Sequence, residues 1–325
     1  MINAAIIGLG RWGQRLVESV QGKSDLVRFT VGVTRTPPNA AEFAARYGFP
    51  VSDDLDTALA DSRLDAVVIA SPNSQHGAQI VAAAEAKKHI LVDKLFTLTK
   101  RTAEEGVEAA QRAGVIVAAG HNRRFLPAYV ELNRRLAADA LGTLLHVEAN
   151  MSTSFIDIYR PGMWRASRAE NPAGGMAAMG IHMVDGLIGL FGRISRVRAL
   201  SIKQVLEIEV DDTTSVLFEF ATGMTGYLGV VAATANNWRL EAFGTGGRIE
   251  IRDTTRFEFH PADGAMEATD FPPLDTVRVE LEAFARAIAG KAPYPIPIAD
   301  VIHGIAVFEA IYRSAEASGK PVEVG

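Results

Sequence analysis

The feature that most restricts this chain is Gly8-x-Gly10-x-x-Gly13, entered from an apolar run at residues 4–7 and left in an amphipathic pattern carrying Leu16, Val17 and Val20. That order reads as buried strand, tight turn and helix. Gly8 permits the turn, Gly10 lets backbone approach a pyrophosphate, Gly13 lets the helix close on the strand, and the free N–H groups of the helix start attract negative charge. A dinucleotide is expected there. Three glycines alone also describe a Gly-rich turn between any strand and helix. The stretch downstream supplies the context, a series of further strand and helix patterns such as a doubly wound parallel sheet requires.

A second strand is expected at 29–34, followed by Pro37-Pro38 and a helix over 39–47 capped by Asn39 with Glu42. At the end of that strand, about 20 positions past the glycines, an Asp or Glu would hold the ribose hydroxyls of NAD. This chain has Thr34-Arg35-Thr36. Arginine there can stack on adenine and pair with a 2′-phosphate, and the missing carboxylate removes a repulsion, so NADP is favoured and NAD remains possible. The plain alternative is a solvated surface arginine. A strand at 65–70 leads into Ser71-Pro72-Asn73-Ser74-Gln75-His76 and a helix to residue 87. The next strand, 90–92, ends in Asp93-Lys94-Leu95. Thr102 with Glu105 reads as a capping box for a helix to residue 113, and 115–118 reads as the last strand of the sheet. Ligands of such sheets bind beyond the carboxyl ends of the strands, which sets 71–76 and 93–95 beside the nicotinamide.

Composition bounds the rest. A chain of 325 residues suits two domains, and 48% hydrophobic with 22% charged residues describes a folded protein. A net charge of −5 without any Lys/Arg-rich run argues against nucleic acid as a partner. The absence of cysteine excludes disulfides, a Cys-ligated metal and a thiol nucleophile, and suits a reducing compartment. No metal site is expected. No apolar run approaches the roughly 18 residues of a membrane span, and no basic leader precedes the first strand, so a cytoplasmic location without membrane contact is expected.

The second half changes character. Leu145, Val147, Ala149 and Met151 alternate with polar residues, as in a strand with one buried face. Residues 216–220 and 224–231 flank Thr222-Gly223 as one hairpin, and 240–243 and 248–251 flank a Gly-rich turn as another. Residues 154–193 form an insertion holding Tyr159, Arg160, Trp164, Arg165, Arg168 and His182, where substrate recognition is expected; the plain alternative is solvated arginines around a packed tryptophan. Val216, Phe218, Phe220, Leu228 and Val230 offer apolar residues for two sheet faces with few helices to cover both. A homodimer or homotetramer through this sheet is therefore expected.

Five motifs in this order resemble the Gfo/Idh/MocA oxidoreductases: Gly8-Leu-Gly-Arg-Trp-Gly13, Ser71-Pro-Asn-x-x-His76, Asp93-Lys94, Asn122-Arg-Arg-Phe125 and Gly174-Gly175…Gly180-Ile-His182-x-x-Asp185. The resemblance covers essentially the whole chain. It implies an α/β Rossmann domain over 1–121 and an α+β domain with a large open antiparallel sheet over 122–325, with a final helix at 299–318 returning to the first domain. It also implies an NAD(P)-dependent enzyme acting on small molecules such as sugars, cyclic polyols and related ketones. Carried over residue by residue, it assigns Gly8, Gly10, Arg11, Trp12 and Gly13 to the cofactor, beside Thr34 and Arg35 from the end of the second strand. Ser71, Pro72, Asn73, His76, Asp93, Lys94 and Asn122 join them. Lys94, Arg124 and His182 are assigned to the substrate, with Lys94 and His182 as the catalytic pair, and Tyr159, Trp164 and Arg165 of the insertion are expected to join them.

Hydride transfer between an alcohol and a ketone needs a proton acceptor or donor and positive charge near the developing alkoxide. His182 and Lys94 suit those roles, because an imidazole exchanges a proton near neutrality and an ammonium steadies an oxyanion. Typical family members carry an Asp four residues before this His, one helical turn away. Here that residue is Ala178. The family also commonly has Glu-Lys-Pro where this chain has Asp93-Lys94-Leu95, and without the proline a trans peptide after Lys94 is expected. These departures leave a second reading open, a dinucleotide-binding sensor that kept the fold and lost the site.

Overall fold

The computed structural model describes residues 1–156 and 158–325. Chain contacts divide it into two units, 1–122 with 275–302 and 123–274 with 303–325. In the first unit β1 (Ile2–Ile7), α1 (Arg11–Val20), β2 (Val27–Val33), α2 (Ala41–Tyr47), β3 (Val51–Ser52) and α3 (Leu55–Ala60) are followed by β4 (Ala66–Ile69), α4 (Asn73–Glu85), β5 (His89–Asp93), α5 (Lys100–Ala113) and β6 (Val117–Gly120). The strands form one parallel sheet in the order β3-β2-β1-β4-β5-β6. All four residues of β4 are at most 1% exposed, so the strand reads as a continuous apolar run; helices on both faces of a parallel sheet leave no polar side to alternate with. The strand order reverses between β1 and β4, and the crevice at that switch point is where such sheets take their ligands.

Two helix starts differ from the sequence reading. Thr99, not Thr102, caps α5: its hydroxyl accepts the Thr102 N–H at 3.2 Å, and Glu105 pairs sideways with Arg101 at 2.7 Å instead of reaching back. Asn39 lies inside a single 3₁₀ turn, Pro37–Ala40, and α2 has no side-chain cap. In both cases a residue able to cap sat one turn from the real end.

The second unit opens with α6 (Pro127–Ala137) and β7 (Leu144–Ser154). A long connection then carries a short turn at Trp164–Ala166 and a π-helical turn, Met176–Gly180, that runs into α7 (Ile181–Phe191). There follow β8 (Ile194–Ile202), β9 (Thr213–Phe220), β10 (Thr225–Val231), β11 (Ala233–Gly244), β12 (Gly247–Arg252), β13 (Arg256–Pro261) and β14 (Glu267–Asp270). Both expected hairpins are present as β9–β10 and β11–β12. The sheet is mixed and mostly antiparallel, because β7 lies at its centre between the hairpins and pairs in parallel with β10.

Val216, Phe218, Phe220, Leu228 and Val230 do not serve two faces. Each is at most 2% exposed, on one side of the sheet, and the helical segment before and within α7 covers them. Gly175 and Gly180 bring that segment so close that a Cβ at either would press on Val230, and Phe191 meets Phe220 edge-on at 6.2 Å. The other side exposes Leu145, Leu200, Ile202 and Leu217, each more than half exposed. Leu145 thus faces out, and the buried positions of β7 are Val147, Ala149 and Ser152.

The segment that returns to the first unit is 275–302, with α8 (Thr276–Ile288), rather than the last helix. Asp275 caps α8 and pairs with Arg15 of α1 at 2.9 Å, while Val277, Leu281 and Phe284 enter the core of the first unit. From residue 303 onward α9 (Ile298–Glu316) belongs to the second unit, where His303 Nε2 accepts the Ile194 N–H and Ser314 Oγ accepts the Ala199 N–H. The chain ends in β15 (Val322–Glu323), paired with β8.

Candidate active site

In the first unit, the residues assigned to a cofactor stand on the connections that leave β1, β2, β4, β5 and β6 at their carboxyl ends. Gly8, at φ +98°, lies against the β4 connection so closely that a Cβ there would sit 2.5 Å from the Ala70 carbonyl. A Cβ on Gly13 would sit 1.9 Å from the Gly8 carbonyl, which fixes how near α1 comes to the turn. Gly10 has nothing within 4 Å of that position, no side chain caps α1, and no acidic residue lies in its first turn. The helix start is therefore open and electropositive, the arrangement that accepts a pyrophosphate. Arg11 is exposed beside it, and Trp12 packs on the core with its indole N–H buried. Thr34 continues the β2–β3 pairing through its N–H to Ser52, and Arg35 is exposed with no ion pair or hydrogen bond among the described residues. These residues fit a dinucleotide.

Further along the same edge, Ser71 donates to Gln79 Oε1 at 2.6 Å, Pro72 precedes α4, and Asn73 begins it, 5% exposed. Asn122 is buried and its amide donates to Thr276 Oγ1 at 3.0 Å. Asp93 closes β5 opposite Gly120, with Lys94 half-buried just beyond. The Lys94–Leu95 peptide is cis, against the trans expectation; Leu95 and Phe96 are fully buried around it. His76 is 1% exposed and its two ring nitrogens face backbone carbonyls, of Leu95 and of Ser71, so the ring itself is not turned outward to a ligand.

In the second unit, His182 lies in the first turn of α7, 6% exposed, directly after the π turn. Such turns widen the helix by one residue and recur at functional sites. Ala178 is the half-exposed residue in an otherwise buried run from 173 to 177 and 179 to 183. Trp164 carries the Arg165 guanidinium at 4.0 Å from its ring, and Tyr159 is 8% exposed and packed on Phe155 at 4.3 Å. Trp164 also lines a cleft of about 450 Å³ with Lys203, Glu207 and Glu209. Its walls are laced together: Asp212 gathers the N–H groups of Gln204, Val205 and Leu206, and Glu209 accepts the Arg168 N–H. Those backbone bonds hold the Asp212 carboxyl below its usual pKa although burial pushes it up.

Arg124, assigned to the substrate, is paired within the second unit. Its guanidinium forms two 2.8 Å bonds to the Asp185 carboxylate and one of 3.0 Å to the Asp185 carbonyl, with the two side chains 10% and 2% exposed. It braces α7. Its neighbour Arg123, to which the sequence reading gave no role, has a buried Nε without a hydrogen bond, makes no ion pair among the described residues, and is held below its ordinary pKa by burial. Two adjacent arginines look alike in a sequence; only the pairing of one with Asp185 separates them.

A parallel sheet with an open glycine-rich turn at its switch point is the fold of a dinucleotide-binding domain. The first unit matches the oxidoreductase family model with an NAD-binding Rossmann fold over residues 2–121, and the Gfo/Idh/MocA C-terminal domain model matches residues 129–250. The chain belongs to the Gfo/Idh/MocA family and is an NAD(P)-dependent dehydrogenase or reductase of CH–OH groups. It is 30% identical over 297 residues to an NADP(+)-dependent scyllo-inositol 2-dehydrogenase of Bacillus subtilis, covering 89% of this chain and 88% of that one. It is 28% identical over 301 residues to an NADP(+)-dependent D-xylose 1-dehydrogenase of Haloferax volcanii, covering 90% of each. The fold matches levoglucosan dehydrogenase in complex with NADH and L-sorbose at a TM-score of 0.90 and 22% identity, over 100% of this chain and 99% of that one. The first two relatives are named for NADP(+), and the structural neighbour was solved with NADH. No helix among the described residues is long and apolar enough to cross a membrane.

Proposed function

We propose that this enzyme prefers NADP and interconverts a sugar-like or cyclic hydroxy compound with the corresponding oxo compound. The observation that carries the cofactor preference is Arg35, exposed and without a partner among the described residues at the end of β2, where 34–36 offer no carboxylate to a ribose. Bound nicotinamide supplies the hydride acceptor or donor. Lys94 holds positive charge against the alkoxide oxygen, and His182 takes the hydroxyl proton on a ring nitrogen during oxidation and returns it during reduction. Ala178 has no proton to give or take, so the acid–base work rests on these two side chains. Trp164 and Arg165 offer a flat apolar and cationic surface to a sugar ring, Tyr159 a hydroxyl, and Arg123 unspent N–H donors for a ligand oxygen. The scyllo-inositol and D-xylose relatives support a polyol or aldose. A chain without cysteine suits the cytoplasm, and the outer sheet face with Leu200, Ile202 and Leu217 suits a homodimer or homotetramer.

Fluorescence titration with NADPH and NADH, followed by nicotinamide absorbance against inositols, aldoses and inosose, tests this reading. NADPH is expected to bind more tightly, and Arg35→Ala to lose about 10- to 100-fold in that preference, the worth of one or two charge-assisted bonds. Equal affinity for the two cofactors refutes the preference. Turnover at wild-type rates in both Lys94→Met and His182→Ala refutes the catalytic pair.

A further inference from the structure

The connection that carries Lys94 is fastened from behind. Ladder pairing of β5 ends at Asp93, opposite Gly120, and that of β4 ends at Ile69, opposite Val92. Leu95 and Ser71 each lie two residues past the last paired position, where nothing in the sheet dictates the direction of the backbone. The imidazole of His76 spans the gap, with Nδ1 at 2.7 Å from the Leu95 carbonyl oxygen and Nε2 at 3.0 Å from that of Ser71. Both partners are acceptors. A neutral imidazole has one N–H to donate and an imidazolium two. Burial drives the ring toward the neutral form, while the two carbonyls, the Asp93 carboxylate and the Phe96 backbone favour the charged one, and burial prevails. A neutral ring can donate to only one of the two carbonyls, and the shorter contact is the one to Leu95.

We infer that His76 is a positioning residue for Lys94: its Nδ1–H bond to the Leu95 carbonyl holds the Leu95–Phe96 peptide, and with it the course of the connection from which the Lys94 ammonium projects. The inference rests on the reading of Lys94 as the group that meets the substrate oxygen. An aliphatic residue would fill the same space beside Ile80 and Ala83 without the cost of burying an imidazole. What it could not do is hold one chosen carbonyl, on the residue next to Lys94.

Two side-chain amides separate the two contacts. In His76→Asn the amide nitrogen falls near the place of Nδ1 and can still donate to Leu95; in His76→Gln it falls near Nε2 and can reach only Ser71. The full-length protein carries eight lysines, so isotope-labelled reductive dimethylation gives a tractable spectrum in which Lys94→Arg identifies the Lys94 resonance. The expected result is an unchanged Lys94 shift and titration midpoint in His76→Asn and a changed one in His76→Gln, with both variants folded. Once a substrate is known, kcat should fall on the order of 10²-fold in His76→Gln, the scale of a misplacement of about 1 Å, with KM little altered. Lys94 resonances identical in wild type and both variants, or equal disturbance by Asn and Gln, overturn the inference. Wild-type turnover by Lys94→Met instead overturns the catalytic reading of Lys94 and leaves the spectral result standing, so the two failures are distinct.

Discussion

Truncating Arg124 should unfold this protein more readily and leave its ligand affinities nearly alone. Arg124 and Asp185 meet through two 2.8 Å bonds and a third to the Asp185 carbonyl, with Asp185 only 2% exposed. Arg124→Ala leaves that carboxylate buried without its counter-charge, and breaking a buried pair by removing one partner costs about 3 to 5 kcal/mol. This is a large share of the 5 to 15 kcal/mol that typically separates folded from unfolded states, and lowers their ratio by at least about a hundredfold. The room for the guanidinium is specific: a Cβ on Gly189 would lie 2.5 Å from both Arg124 Nη1 and Tyr129 Oη. The apolar double variant Arg124→Met/Asp185→Leu removes both charges and should lose less than either single change. Urea unfolding of the four proteins forms a double-mutant cycle, in which the coupling between the two sites should exceed about 1 kcal/mol. If Arg124→Ala keeps its unfolding midpoint while substrate affinity drops, the guanidinium serves the ligand after all and the bracing argument fails.

Gly10→Ala should fold normally, since nothing lies within 4 Å of the added methyl, yet bind NADPH at least tenfold more weakly in fluorescence titration; unchanged binding would place the pyrophosphate elsewhere. Gly13→Ala, whose methyl would meet the Gly8 carbonyl at 1.9 Å, should lower the melting temperature as well, and a stable, cofactor-binding variant would contradict the close helix–strand contact. His89 accepts the Ile116 N–H on Nδ1 and, like His76, is pushed below the ordinary histidine pKa by burial. Above about pH 6.5 neither state of these histidines binds a proton; below it the unfolded chain takes protons that the native one resists, so stability should fall by up to about 1.4 kcal/mol per pH unit for each fully depressed group. Asp61 and Glu131, each lowered to about 2 by bonded arginines, lose their contribution only as pH falls from the ordinary carboxylate range toward 2. Urea midpoints that stay flat between pH 7 and 5 would refute the histidine part. Thr99→Ala should cost about 1 kcal/mol by removing the cap of α5, whereas Thr102→Ala should cost less; the reverse order in melting experiments would restore the Thr102 cap.

What could be read from the residues was what local chemistry decides. Gly8, Gly10 and Gly13 announce β1 and α1 because few other turns need three positions without a Cβ, and the two hairpins of the second unit show through alternation and a Gly-centred turn. Helix starts were displaced where two nearby residues could cap, as with Thr99 and Thr102, since the choice between them depends on where packing lets the helix begin. The central place of β7 was not legible, because strand order in a sheet is decided by partners dozens of residues away: Ala149 meets Leu228 on one side and Leu240 on the other. The same limit governed the return to the first unit, where α8 and α9 both look apolar enough and only the fit of Val277, Leu281 and Phe284 decides.

The site obeys this division between local and distant information. Backbone geometry is local: Gly10 stands at an open, uncapped helix start, where its spacing puts it. Pairing with a distant residue is not legible from spacing. The partners of Arg124 and His76 are distant in sequence, Asp185 by 61 residues and the Leu95 carbonyl by 19. A charged or titratable side chain has a fixed number of donors, and in a folded interior each donor committed to the protein is one withdrawn from the ligand. Counting those commitments separates Arg123 from Arg124 although the two are chemically identical and adjacent. The Arg124 guanidinium makes three bonds to Asp185, whereas the buried Nε of Arg123 makes none.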